Sequence, residues 1–253
     1  MLIAVTRGVS PTLASCELTW LERQPIDLEL AIAQHQDYES CLENLGVRVI
    51  SLPALAEFPD GMFVEDPVFV VDEVAILTRP GAVSRRGEGE SLAPVLSPFR
   101  PIRRLRAPAT LEGGDVMRIG RDIFVGLSTR TNSAGVEQLA EELEPLGYRV
   151  RGVPVTGCLH LKSACCGLDE NTILANRAWI DSAPLHGYRI IDVAQEEPGA
   201  ANVLRIGDTV LMAAAFPRTQ AVLEQEAFSV RPIDISELMK AEAGVTCSSV
   251  IFV

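Results

Sequence analysis

One pattern recurs along this chain and limits its folds more than any other feature: an apolar strand, a turn built on Asp or Gly, a second apolar strand, then an Arg. It is read in PVFVVDEVAILTR ending at Arg79, DVMRIGRDIFVGLSTR ending at Arg130, SACCGLDENTILANR ending at Arg177 and NVLRIGDTVLMAAAFPR ending at Arg218. The turns near Asp72, Gly120, Asp169 and Gly207 lie about 40 to 50 residues apart. A fifth unit assembles from the two ends, with one strand in VTCSSVIFV at Val245–Val253 and another in MLIAVTR at Met1–Arg7. A unit this small cannot bury both faces of its own sheet. Five of them therefore fit a closed radial α/β assembly better than an open sheet, the ring shutting where the N- and C-terminal strands pair. The alternative is an unrelated α/β arrangement in which strand–turn–strand patterns recur by chance.

Period and capping place helices between units. Ile26–Gly46 has Asp27 as its cap and Gly46 at its stop; Thr131–Gly147 has an Asn/Ser start, Leu139 and Leu143 at helical spacing, and Gly147 closing it. Phe216–Phe228 is shorter and Ser84–Leu96 weaker, while strands follow the first two helices at Val47–Leu52 and Tyr148–Val153. With 253 residues, 47% of them hydrophobic and 22% charged, the chain can bury a large core as a single domain spanning 1–253.

A net charge of −12 argues against a nucleic-acid footprint and against an anionic membrane surface, both of which need clustered cations. No apolar run reaches the ~18 residues of a membrane span, and the N-terminus lacks a basic stretch followed by a longer apolar one, so the expected location is the cytoplasm. Six cysteines in such a chain read as reduced thiols. Nothing in the sequence fixes the oligomeric state, and a homodimer is left open.

The polar residues gain meaning from their place in the repeat. Glu65 and Asp66 in FVEDP, Glu112 in LEGGDV, His160 in GCLHLKSA and Cys247 in VTCSS each stand just before the first strand of a unit. Rotation about a common axis would bring them together at one end of it. A nucleophilic thiol needs a neighbouring base or cation, an imidazole can take and return the proton, and a carboxylate orients that imidazole. The resulting pocket is strongly anionic and suits a cationic substrate. The other histidines read as incidental, His35 on a helix and His186 in a loop, and Cys41 reads as core packing. Cys158, His160, Cys165 and Cys166 crowd together, yet adjacent strand residues point to opposite faces and no C-x-x-C is present, so a structural zinc site is not expected. No phosphate loop and no dinucleotide fingerprint occur.

In order, FVEDP, LEGGDV, FVGLSTRTN, HLKSA, the GAAN of Gly199–Asn202 and VTCSS resemble dimethylarginine dimethylaminohydrolases, members of the guanidine-modifying (pentein) superfamily. The resemblance spans the chain. It implies a five-bladed α/β propeller of ββαβ repeats that hydrolyses Nω-methylated arginines to citrulline and a methylamine, with no metal or organic cofactor and a small cationic guanidine as its partner. By resemblance Cys247 is the nucleophile, His160 the general acid/base and Glu112 the carboxylate that orients it. Asp66 and Glu65 would hold the guanidinium, Asp60 the α-amino group, and Arg85 and Arg130 the α-carboxylate. Leu18 lies in Ser10–Gln24, which resembles a mobile lid. Two positions depart from the pattern: Glu112 stands where some relatives carry Asp, and Arg86 directly follows Arg85, so either could be the clamp. A thiolate beside an imidazole is also a competent zinc pair, so zinc is expected to inhibit.

Two rivals follow. One is a hydrolase or deiminase of arginine or another small guanidine on the same fold, although arginine deiminases carry an inserted helical domain absent here. The other is a non-catalytic pentein that presents the propeller as a protein-binding surface, which would need neither the thiol nor the imidazole.

Overall fold

A computed structural model describes residues 1–253. Five three-stranded sheets form, and all five share one topology. Each has an antiparallel hairpin whose second strand pairs in parallel with a third. The hairpins are Val68–Val70 with Ala75–Leu77, Val116–Ile119 with Asp122–Leu127, Cys165–Gly167 with Thr172–Ala175, Val203–Ile206 with Thr209–Ala213, and Val250–Phe252 with Ile3–Arg7. The third strands are Ile102–Arg104, Arg149–Pro154, Arg189–Asp192, Ser229–Ile233 and Arg48–Leu52. The last sheet joins the two chain ends, as the repeat requires.

Strand periodicity closes the ring. Successive side chains point to opposite faces of a strand, so each central strand feeds two different cores. Ala75 and Leu77 pack with Val5 and Val250 of the preceding unit, while Ile76 packs with Ile123 and Val125 of the following one. Phe124 meets Ile173 and Ala175, Leu174 meets Val210 and Met212, and Leu211 meets Ala4. Five buried clusters thus sit between five pairs of neighbouring units, and no unit is left with a bare face. The result is a five-bladed α/β propeller.

The crossover to the third strand is a full helix in three units only. Leu28–Asn44 starts where the Asp27 side chain accepts the Leu30 N–H, and Ser133–Leu143 starts where Asn132 accepts the Gly135 N–H; each such cap contributes about 1 kcal/mol. Gly46 and Gly147 leave these segments at φ +80° and +86°. Pro217–Gln225 is the third helix. The expected Ser84–Leu96 helix is instead two 3₁₀ turns and the single turn Ala93–Leu96, because Gly87 at φ +132° breaks the run and Pro94 begins a new one. The unit between Ala175 and Arg189 also crosses over by 3₁₀ turns.

The strand expected over Val245–Val253 shortens to Val250–Phe252. The backbone ahead of it is satisfied by other groups: the Thr246 N–H goes to the Asn202 side chain and the Gly244 N–H to Cys247 Sγ. No helix is long and apolar enough to cross a membrane.

Candidate active site

The segments entering the inner strands converge at one end of the propeller axis around a cavity of about 20 Å³. Asp60, Asp66, Arg85, Arg130, His160 and Cys247 line it, contributed by separate parts of the chain. Glu112 lies directly behind, completely buried.

Glu112 organises this end. Its Oε2 is 2.8 Å from His160 Nε2, and Arg130 Nη1 reaches both of its oxygens at 3.3 and 3.4 Å. Burial opposes its charge, yet His160 and the two arginines take its pKa down to about 2. Burial likewise opposes the charge on His160, but Asp66, Asp115 and Glu112 outweigh it and raise its pKa to about 9. The imidazole is therefore an imidazolium at neutral pH. Its Nδ1 keeps only a 3.9 Å approach to Asp66 Oδ1. Gly114 allows that approach, since a Cβ there would lie 2.5 Å from Nδ1.

Asp115, which the sequence reading did not single out, is a fully buried anchor. It accepts the Leu161 N–H at 2.8 Å and the hydroxyls of Ser128 and Thr131 at 2.7 Å each. It thereby fixes the residue after His160, and Thr131 in turn accepts the Glu112 N–H. Asn202 plays a similar part for the thiol segment, bonding Thr246 and the Lys162 carbonyl. Its place just before the fourth inner strand was legible in the repeat, although its role was not.

Cys247 is half-buried and its backbone carbonyl accepts the Glu65 N–H. Burial, with Glu65 and Asp66 behind it, pushes the thiol well above its ordinary value, against the Gly244 N–H and Lys162. A proton therefore stays on sulfur while the pocket holds no added cation.

Arg85, not Arg86, faces the cavity. It is buried in a fork with Glu88 and donates to Asp66 Oδ2 at 2.7 Å, whereas Arg86 turns to the Pro80 carbonyl. Burial raises Glu88 to about 7 in spite of Arg85. Asp60 accepts the Glu17 N–H at 3.0 Å, and Arg130 Nη2 donates to Thr19 Oγ1 at 2.9 Å, so the segment expected to be a lid lies closed over the cavity. Leu18 packs against the core beside these contacts.

Glu65 is placed elsewhere. It pairs with Lys162 Nζ at 2.5 Å, accepts from Thr246 Oγ1 at 2.8 Å, and faces a separate axial cavity of about 300 Å³ lined by the five inner strands. Burial raises its carboxyl pKa against the pull of Lys162. The adjacent residues Glu65 and Asp66 sit in a turn ahead of the strand Val68–Val70, where the Asp66 N–H bonds the Phe63 carbonyl, and their side chains turn to different cavities. Asp66, Glu112 and His160 bring ligand atoms within 4.8 Å of one another. These atoms already pair with Arg85, Arg130 and one another, which opposes capture of a metal ion.

Comparison with known proteins decides the family. The chain is 40% identical over 248 residues to the N(G),N(G)-dimethylarginine dimethylaminohydrolase of Streptomyces coelicolor, covering 98% of this chain and 95% of the relative. It belongs to the dimethylarginine dimethylaminohydrolase family. The enzyme of that name from Pseudomonas aeruginosa is 37% identical over 228 residues, covering 89% of this chain and 90% of the relative. A cysteine-to-serine mutant of the Pseudomonas aeruginosa dimethylarginine dimethylaminohydrolase, complexed with citrulline, superposes with a TM-score of 0.93 at 34% identity, over 99% of this chain and 98% of that one. The arginine deiminase family profile matches residues 100–177, which hold the Glu112 and His160 motifs.

Proposed function

We propose that this chain hydrolyses Nω-methylated L-arginine, as asymmetric dimethylarginine or monomethylarginine, to L-citrulline and a methylamine through a covalent thiouronium on Cys247. One observation carries the reading: the thiol, the His160–Glu112 pair and Asp66 come from four different units to a single closed cavity. The names of the relatives support it.

The charges around the thiol suggest how the reaction begins. Asp66, which lines the cavity, receives the planar guanidinium by charge-assisted hydrogen bonds. This added cation offsets the carboxylates that hold the proton on sulfur, and the proton leaves to solvent. The thiolate attacks the central guanidinium carbon, forming a C–S bond. The His160 imidazolium gives its proton to the substituted nitrogen, that C–N bond breaks, and the neutral amine departs from the thiouronium. Neutral His160 then takes a proton from water as the oxygen adds to the same carbon. The C–S bond breaks, thiolate is regenerated and citrulline is released after losing the remaining proton to solvent. Glu112 stabilises the imidazolium at both ends of the cycle, as its low pKa indicates.

Asp60 is assigned to the α-amino group, Arg85 and Arg130 to the α-carboxylate, and the Leu18 segment to closing the site. Holding the guanidinium falls to Asp66 and not to Glu65, which Lys162 already neutralises. The enzyme needs its thiol reduced, and all six cysteines are unpaired, which suits a cytoplasmic setting. A second reading, hydrolysis of unmethylated arginine or another small guanidine, draws on the match of residues 100–177 to the arginine deiminase family. Citrulline assays with asymmetric dimethylarginine and arginine in parallel separate the two. Citrulline from the methylated substrate supports the proposal, whereas citrulline from arginine alone supports the second reading.

A further inference from the structure

The nucleophile segment also holds the lid. Both carboxylate oxygens of Glu242 accept the Thr19 N–H at 3.0 Å, and Oε1 accepts the N–H groups of Trp20 and Leu21 at 2.5 and 2.6 Å. Three successive amides of the closed segment thus converge on one anion that stands five positions before Cys247. Glu242 adopts φ +59°, a left-handed conformation that long side chains seldom occupy. Strain of this kind persists where the surroundings impose it, and the place to look for its purpose is the contact it makes.

The two tethers of the lid that come from the small cavity differ in one respect. Asp60 and Arg130, which hold Glu17 and Thr19, are the groups assigned to the substrate's amino and carboxylate ends, so a bound substrate competes for them. Glu242 has no such second partner. It also lines both the small cavity and an apolar one of about 330 Å³ whose walls include the lid's Trp20 and Leu21. We infer that Glu242 is a positioning residue for the reaction, a latch that keeps the lid shut over the nucleophile while Asp60 and Arg130 change partners.

Glu242→Gln keeps the size of the side chain but exchanges one acceptor oxygen for a donor. Glu242→Gly relieves the left-handed backbone and so removes the latch without weakening the fold. The primary measurement is alkylation of Cys247 by iodoacetamide in the ligand-free protein, followed by peptide mass spectrometry across pH. This readout does not depend on which guanidine is the substrate. Both variants should alkylate about tenfold faster with an unchanged pH midpoint, as expected when a closed lid becomes mostly open. With asymmetric dimethylarginine as substrate, KM should rise about tenfold while kcat changes less than about threefold, and Glu242→Asp should recover part of the loss. Rates and KM within twofold of the parent in folded Glu242→Gln and Glu242→Gly would overturn the latch. A shifted alkylation midpoint would overturn it too, because it would mean that Glu242 acts on the thiol and not on the lid. Faster alkylation with no turnover of any guanidine would uphold the latch while overturning the proposed reaction.

Discussion

Gly114→Ala is the substitution that probes the His160 geometry with the least added chemistry. The new methyl would lie 2.5 Å from His160 Nδ1 and 2.8 Å from Asp66 Oδ1. Relaxed contacts are about 3.5–4.0 Å, so roughly 1 Å must be found. Neither neighbour can retreat cheaply. His160 is held through Nε2 by Glu112 at 2.8 Å, and Asp66 is held by Arg85 at 2.7 Å and by the Gly114 N–H itself at 3.0 Å. Displacing a reacting group by about 1 Å costs about 100-fold in rate, equivalent to about 2.7 kcal/mol of transition-state stabilisation. Overpacking should also lower stability by about 1–3 kcal/mol, which leaves the protein folded at room temperature. Steady-state citrulline formation from asymmetric dimethylarginine, with circular dichroism to confirm folding, measures the effect. A folded Gly114→Ala protein whose kcat stays within threefold of the parent would refute the reasoning, because the imidazole would then have room that the structure denies it.

Four further outcomes are expected. With His160 at about 9 and the bound cation releasing the thiol proton, kcat should climb with pH as sulfur ionises in the substrate complex and fall above about 9 as the imidazolium is lost; a falling limb centred near 6.5 would contradict this. The same shift makes His160 a source of stability that is complete below its ordinary 6.5 and lost as pH rises through about 9, so the thermal midpoint should drop across that window and do so less in Glu112→Gln. Lys162→Met strands the buried Glu65 carboxylate and should cost about 3–5 kcal/mol in urea unfolding, most of it regained in the double variant with Glu65→Leu; additive losses would show that the pair is not coupled. Micromolar zinc in chelator-free buffer should inhibit reversibly through Cys247 and His160, and activity indifferent to zinc would exclude that pairing.

The ring was legible because each central strand alternates two apolar sets, as Ala75 and Leu77 against Ile76 show, and an alternating strand needs a neighbour on both faces. The positions of Asp66, Glu112, His160 and Cys247 followed from the same repeat. What stayed hidden depends on direction and distance. Glu65 and Asp66 are adjacent in sequence and face different cavities, a distinction no motif encodes. The choice of Arg85 over Arg86 rests on a buried fork with Glu88. Glu242 bonds only backbone amides, and Asp115 reaches the His160 segment through one, the Leu161 N–H; any residue supplies such a group, so the sequence carries no mark of the partner. Strand length near Cys247 was overestimated because apolar and β-branched residues there serve a loop whose hydrogen bonds go to Asn202.

Covalent capture at Cys247 is the central step of the proposed reaction, and acid-quenched turnover followed by peptide mass spectrometry observes it directly. During steady-state hydrolysis of asymmetric dimethylarginine, the Cys247 peptide should carry the mass of the substrate less its dimethylamine, and the adduct should vanish when substrate is exhausted. Citrulline formed with Cys247 never modified, or undiminished in Cys247→Ser, would contradict the mechanism.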